Sequence, residues 1–137
     1  MAFKIQRVDY YYTSVEDRPG EAYKLLSMLA DVGVNLLAFN AVPIGPLRTQ
    51  LSIFPEDSNV LTEEARKAGI SLDGPYPALL AQGDDELGAL AGIHEKLYQA
   101  SVNVFASNCV TDGRGSYGYI IYVRPEEFKN ATEALKV

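Results

Sequence analysis

The side chains that most often carry chemistry are sparse in this chain. It has one histidine, His94, and one cysteine, Cys109. A nucleophile–base triad would have to use His94, and no supporting motif surrounds it. A structural or catalytic zinc-type site needs several His or Cys ligands, so no metal site is expected. A single cysteine excludes an internal disulfide. Both residues sit at packing positions of the pattern. The carboxylates gather at turns and on helices, their usual solvated places. No catalysis and no cofactor are therefore expected. Binding chemistry remains, and one stretch raises it: VEDRPGEAYKLLSMLADVGVN, residues 15–35. Asp17-Arg18-Pro19-Gly20 leads into a helix-like run, and Gly33-Val34-Asn35 follows it. Either these are ordinary punctuation, or the two ends build a pocket.

Elements must hold those ends in place. Residues 3–15 are rich in Val, Ile and Tyr and read as a strand. Pro19 suits a helix start. Ala22, Leu25, Leu26 and Leu29 fall at i, i+3, i+4 and i+7, one face of an amphipathic helix, and Gly33 stops it. Residues 34–42 read as a strand and 43–46 as a turn. Residues 47–54 alternate, with Leu47, Thr49, Leu51 and Ile53 inward and Arg48, Gln50 and Ser52 wet. Ser58 or Thr62 caps a short helix that ends at Gly69. Residues 70–72 start another strand, broken by Asp73-Gly74-Pro75 and Pro77. The second half repeats the order. There is a strand at 78–82, a turn at 84–88, and a helix with Leu90, Ile93 and Leu97 on one face. A strand at 102–111, a hairpin turn, a strand at 117–123 and a helix at 125–135 follow. The final strand of this half is missing.

The halves align residue by residue. At an offset of 68, Asp17 meets Asp85, Gly20 meets Gly88, Leu29 meets Leu97, Val34-Asn35 meets Val102-Asn103 and Asn40 meets Asn108. Further on, Pro55-Glu56 meets Pro125-Glu126 at an offset of 70, and the two extra residues are assigned to the hairpin TDGRGS. The fold expected is α+β: two tandem ferredoxin-like βαββαβ units with mainly antiparallel sheets and helices on one face. The units span residues 1–75 and 77–137, with the last strand of the second missing or replaced by the N-terminal segment AFKIQRV. Leu37, Phe39 and Phe105 fall on the strand face away from the helices, which predicts association into a homodimer or larger.

The stretches DRPGEAYKLLSMLADVGVN and DDELGALAGIHEKLYQASVN, each between the first two strands of a βαββαβ unit, resemble the ACT domain family. The resemblance covers nearly the whole chain, as two copies. It implies a regulatory module that pairs through its sheets and binds a small ligand, an amino acid above all, near the turn into the first helix. It implies Asp17, Arg18, Pro19, Gly20 and Asn35 as a pocket, with Gly88 and Asn103 as a weaker second set. The physics agrees. Glycine lets backbone approach a ligand, a helix N-terminus suits a carboxylate, and one Asn amide both donates and accepts. The second copy is degenerate, with Leu87 and Ser101 where the first has Pro19 and Gly33. Its Asp84, Asp85 and Glu86 would repel a ligand carboxylate.

The net charge of −6 disfavours nucleic-acid and anionic-membrane partners. No apolar run approaches the roughly 20 residues of a membrane span. MAFKIQRVDYYY is no apolar leader, so the chain reads as cytoplasmic. Two other readings compete. One is a structural pairing module with a vestigial pocket. The other is an RNA-binding ferredoxin-like domain, from the aromatic strand RGSYGYIIYV. In the repeat, Tyr117 and Tyr119 fall on the helix-facing side of that strand, which argues against it.

Overall fold

The computed structural model describes residues 3–137. The elements run β1 (Phe3–Glu16), α1 (Glu21–Asp31), β2 (Leu36–Ile44), β3 (Arg48–Pro55), α2 (Ser58–Ala68), β4 (Asp73–Asp84), α3 (Ala89–Gln99), β5 (Ala106–Thr111), β6 (Ser116–Tyr122), a 3₁₀ turn (Pro125–Glu127) and α4 (Phe128–Leu135). The strand order is β2-β3-β1 in one half and β4-β6-β5 in the other. The pairs β1–β3, β2–β3, β4–β6 and β5–β6 are all antiparallel. This is the α+β fold expected.

The chain divides into two compact units. Asp9–Tyr76 forms one, and residues 3–8 group with Pro77–Val137 in the other. Residues 3–8 therefore lie outside the unit that is expected to begin at residue 1. The physical reason is strand supply. Residues 3–8 of β1 supply a strand to the unit Pro77–Val137. Ile5 packs on that unit's core, and the Arg7 guanidinium donates to the Val137 carbonyl at 3.0 Å.

In the unit Asp9–Tyr76, Leu25 and Leu29 of α1 and Leu61 of α2 pack on Tyr11, Leu51 and Ile53. Period 2 along each strand puts Tyr10, Tyr12 and Phe54 on the opposite face. There Tyr10 stacks on Phe54 with ring centroids 5.0 Å apart, and Tyr12 and Tyr76 join the cluster. In the second unit, Ile93 and Leu97 of α3 and Ala131 and Leu135 of α4 pack on Leu79, Ala81, Tyr119 and Ile121. Tyr117 and Tyr119 are in this helix-side core, so the aromatic strand does not present them to RNA.

Five details depart from the sequence expectation. First, β4 is one strand through Gly74, Pro75 and Pro77, where a break was expected. Second, the cap of α2 is Asp57, whose Oδ1 accepts from the Asn59 and Val60 amides, not Ser58 or Thr62. Third, a bulge in β2 shifts the register between Leu36 and Ala38. An extra residue reverses which face the following side chains take, so Leu36 and Phe39 both meet the helix-side core. Phe39 therefore leaves the outward patch expected for it. Fourth, Ser52 is buried and Leu47 is exposed. Fifth, the two extra residues are not in the hairpin. Tyr11 pairs with Ile53 and Leu79 with Ile121, and Ala41 pairs with Leu51 and Cys109 with Tyr119, so the offset stays at 68 through the hairpin and β6. The buried Leu61 and Ala65 of α2 correspond to Ala131 and Leu135 of α4 at 70. The insertion lies at the 3₁₀ turn that joins β6 to α4.

The ends of α1 and α3 show the repeat at atomic level. Gly33 and Ser101 both have positive φ, 82° and 59°. The following amides bond back equally, Val34 to Leu29 and Val102 to Leu97, each at 2.9 Å. Glycine takes this conformation freely, whereas serine is strained in it. Ser101→Gly is therefore expected to stabilise the protein by about 0.5 kcal/mol after glycine's extra unfolded-state entropy is deducted. Gly33→Ser should cost about 1 kcal/mol. Urea midpoints of the two variants check both signs.

Candidate functional site

The residues singled out in the first copy fall at two ends of one helix. Asp17, Arg18, Pro19 and Gly20 form the turn before α1, with Gly20 as N-cap at φ 89°. Asn35 follows the other end of that eleven-residue helix, and at 1.5 Å per residue the ends stand roughly 16 Å apart. Within the unit, Asn35 and the Asp17–Gly20 turn do not meet in one pocket. Each has its own partners. The Asn35 amide donates to Glu56 Oε2 at 2.8 Å, and the Glu56 amide donates back to the Asn35 carbonyl at 2.8 Å. Arg18 pairs with Glu16 at 2.7 Å and with Glu21 at 3.2 Å. Lys24, and then Arg18, hold the Glu21 carboxyl below its usual range. The one cation of this turn is thus already matched by two carboxylates. Exposed pairs of this kind contribute little to stability, but they compete with any ligand carboxylate.

In the second copy Gly88 is the N-cap of α3 at φ 82°, without a side-chain cap. It lines a cleft of about 220 Å³ with Asp85, Glu86, Ala91, Cys109 and Tyr117 among its walls. Asn103 is exposed and does not line that cleft. It too follows the far end of its helix. The offset of 68 shows why a cleft opens here. Ala89 and Ala91 stand where the first copy has Glu21 and Tyr23, so the first turn of α3 is clad in methyl groups.

The sequence pattern marks Tyr117 only as a core aromatic. Its residue is 5% exposed, yet its hydroxyl is buried and has no hydrogen-bond partner among the described residues. Such a group costs about 1–3 kcal/mol when left unpaired. The equivalent residue of the first copy is Thr49. A phenol at a helix-facing position, where a partner is the rule for buried tyrosine, was the signal available in the sequence. Burial first, then Cys109, Asp84 and Glu86, push its phenol pKa up, so it stays a donor at neutral pH. Cys109 is exposed rather than at the packing position expected for it, and partial desolvation, then Asp85, push its thiol up as well. A protonated thiol is a poor nucleophile. His94 lies on the buried side of α3 and shares a hydrogen bond of 2.5 Å between Nε2 and the Tyr119 hydroxyl.

Two larger, shallower grooves are also present. One of about 480 Å³ runs along Gln82, Asp84, Val110 and Gly118 and shares Thr111 and Tyr117 with the α3 cleft. Another of about 580 Å³ runs along Tyr12, Ser14, Gln50 and Asp73. Among the described residues no cluster of His, Cys, Asp and Glu is arranged to hold a metal ion. No helix among them is long and apolar enough to cross a membrane.

No protein-family model matches the sequence, and no curated protein matches it either. Solved structures do match in fold. A protein from Bacteroides thetaiotaomicron superposes with a TM-score of 0.80 at 16% identity, over 96% of this chain and 88% of that one. The regulatory subunit of aspartate kinase from Thermus thermophilus, in its ligand-free form, gives 0.62 at 16% identity, over 98% and 94%. The same subunit from Thermus flavus gives 0.62 at 17% identity, over 98% and 94%. The chain thus has the tandem ACT-type fold that the resemblance implied, spanning nearly the full length of those regulatory subunits.

Proposed function

We propose that this is a regulatory protein that binds a small molecule, of amino-acid type, in the cleft at the start of α3. One observation carries the reading: a cleft beside the glycine N-cap whose wall holds a buried, unpartnered hydroxyl, Tyr117. A ligand that accepts from that hydroxyl recovers the cost of leaving it unpaired. The first turn of α3 adds backbone amides that have no partner within the helix. The shared fold with two aspartate kinase regulatory subunits supports regulation over catalysis. So do the side chains: His94 is engaged by Tyr119, and Cys109 stays protonated. We read the protein as a non-enzymatic cytoplasmic sensor. In the rival reading, a pairing module with a vestigial pocket, no small molecule would shift its stability.

A thermal-shift screen with the twenty amino acids and their amides separates the two. A ligand at 100 times its Kd adds about 2.7 kcal/mol to stability. An unchanged melting temperature across the whole screen would leave only the pairing module.

We also propose that the protein acts as a homodimer. Leu37, Val42 and Ile44 of β2, and Phe105 and Val110 around β5, are large apolar side chains left exposed. Val42 and Val110 are equivalent positions of the repeat, and β2 and β5 are each the outer strand of their own unit. Light scattering at high micromolar concentration is expected to return twice the chain mass; the mass of a single chain would refute the dimer.

A further inference from the structure

We infer that the α3 cleft selects a cation: a primary ammonium joined to a neutral hydrogen-bond acceptor, as in an amino-acid amide, ahead of the free amino acid. The inference rests on the reading that this cleft is the ligand site, and it names the class of ligand.

Charge decides the class. Asp85 and Glu86 line the cleft, and no lining residue is basic. Asp84 stands just before them at the end of β4. The turn is fixed in place, since the Asp85 amide donates to the Gly115 carbonyl at 2.8 Å. The start of a helix offers an anion about half an elementary charge of attraction. Two full carboxylates in the wall outweigh it. A ligand ammonium therefore faces Asp85 and Glu86. The ligand's acceptor faces the donors among the lining residues, which are the Tyr117 hydroxyl and the backbone amides of Leu90 and Ala91. These donors are neutral, so a carbonyl or amide oxygen satisfies them, and a carboxylate brings a charge that nothing in the wall matches. The first copy shows the contrast. There Arg18 occupies the position of Glu86 and Thr49 that of Tyr117, and Glu21 and Tyr23 replace two alanines. The repeat has kept the turn and exchanged its charge, its floor and its room.

A matched series tests this by calorimetry: leucinamide, leucine and 4-methylpentanoate, with glycinamide, glycine and acetate as the short set. On the native chain the amide of a set should bind at least about tenfold tighter than the amino acid, and the bare acid should not bind. Glu86→Gln should weaken the amide by a similar factor. Tyr117→Phe should weaken it while raising the melting temperature of the free protein, because the substitution removes a buried unpartnered hydroxyl. That opposite pair of changes cannot come from misfolding. If leucine or the acid binds tighter than the amide and Tyr117→Phe removes that binding, the site stands and the cation preference is overturned. If the amide binds and neither variant alters its affinity, the ligand sits elsewhere and the site reading falls. If none of the six compounds binds in the millimolar range, the inferred class is refuted.

Discussion

Leu97→Ala is expected to lower stability by about 3 kcal/mol, and Leu29→Ala by about the same amount. The two leucines occupy one position of the repeat, at the inner face of α3 and α1. They are 1% and 2% exposed. Leu97 packs among Leu79, Ile93, Tyr119 and Ile121, and Leu29 among Leu25, Leu51, Ile53 and Leu61. Each carbonyl also receives the amide that closes its helix, a contact that alanine keeps. Alanine is the best helix former, so helix propensity offsets a little of the loss, and the rest measures packing. A strand-and-helix sandwich cannot collapse onto the hole without dragging a helix over the sheet, which places both sites well above the bare transfer term. Urea denaturation of both variants checks the value. A loss below about 1 kcal/mol at either site would mean that its helix repacks freely, against the close packing seen here.

The helices were legible because two independent signals coincide in them. The 3.6-residue spacing of Leu25, Leu29, Ile93 and Leu97 marks the buried face, and Gly20, Gly33 and Gly69 mark the ends. The repeat was legible for the same reason, since equivalent positions keep equivalent burial. The strands were less so. Pro75 and Pro77 read as breakers, yet β4 runs through them. Proline in a strand is a matter of which hydrogen bonds it must supply, and that depends on neighbours a sequence does not name. The bulge in β2 left no mark at all, and one extra residue was enough to turn Phe39 toward the core. At the site, the turn before each helix was legible as a turn. Linking Asn35 to it was not sound within one unit, because the helix itself keeps the two apart. Tyr117 escaped because pattern reports which way a side chain points, and only packing reveals whether its hydroxyl finds a partner.

Gly74 is where a local misreading has the largest structural consequence. The sequence places it in a break, and it is instead a strand position with no room for a side chain. A Cβ built there would lie 2.9 Å from the Tyr10 carbonyl oxygen and 3.0 Å from the Tyr11 ring. The first neighbour is backbone and cannot rotate away. The residue also has φ +143°, which side-chain-bearing residues rarely adopt. Strain and overlap act together in Gly74→Ala. The dihedral penalty is of order 1–3 kcal/mol, and overpacking adds about 1–3 kcal/mol. A total near 3 kcal/mol follows if β1 gives way by a few tenths of an ångström. The neighbours that must move are Tyr10 and Tyr11. Tyr11 belongs to the helix-side core, and Tyr10 stacks on Phe54 across the other face. The substitution should therefore loosen both faces of the unit Asp9–Tyr76 at once. Tyrosine fluorescence and near-ultraviolet circular dichroism should change along with the urea midpoint. Gly20→Ala is the control: its φ is also positive, at +89°, but a Cβ there meets nothing within 4 Å. It should cost only the dihedral penalty and leave the aromatic signals intact. Equal losses in the two variants would show that backbone conformation alone sets the cost, and that the close approach of β4 to β1 contributes nothing.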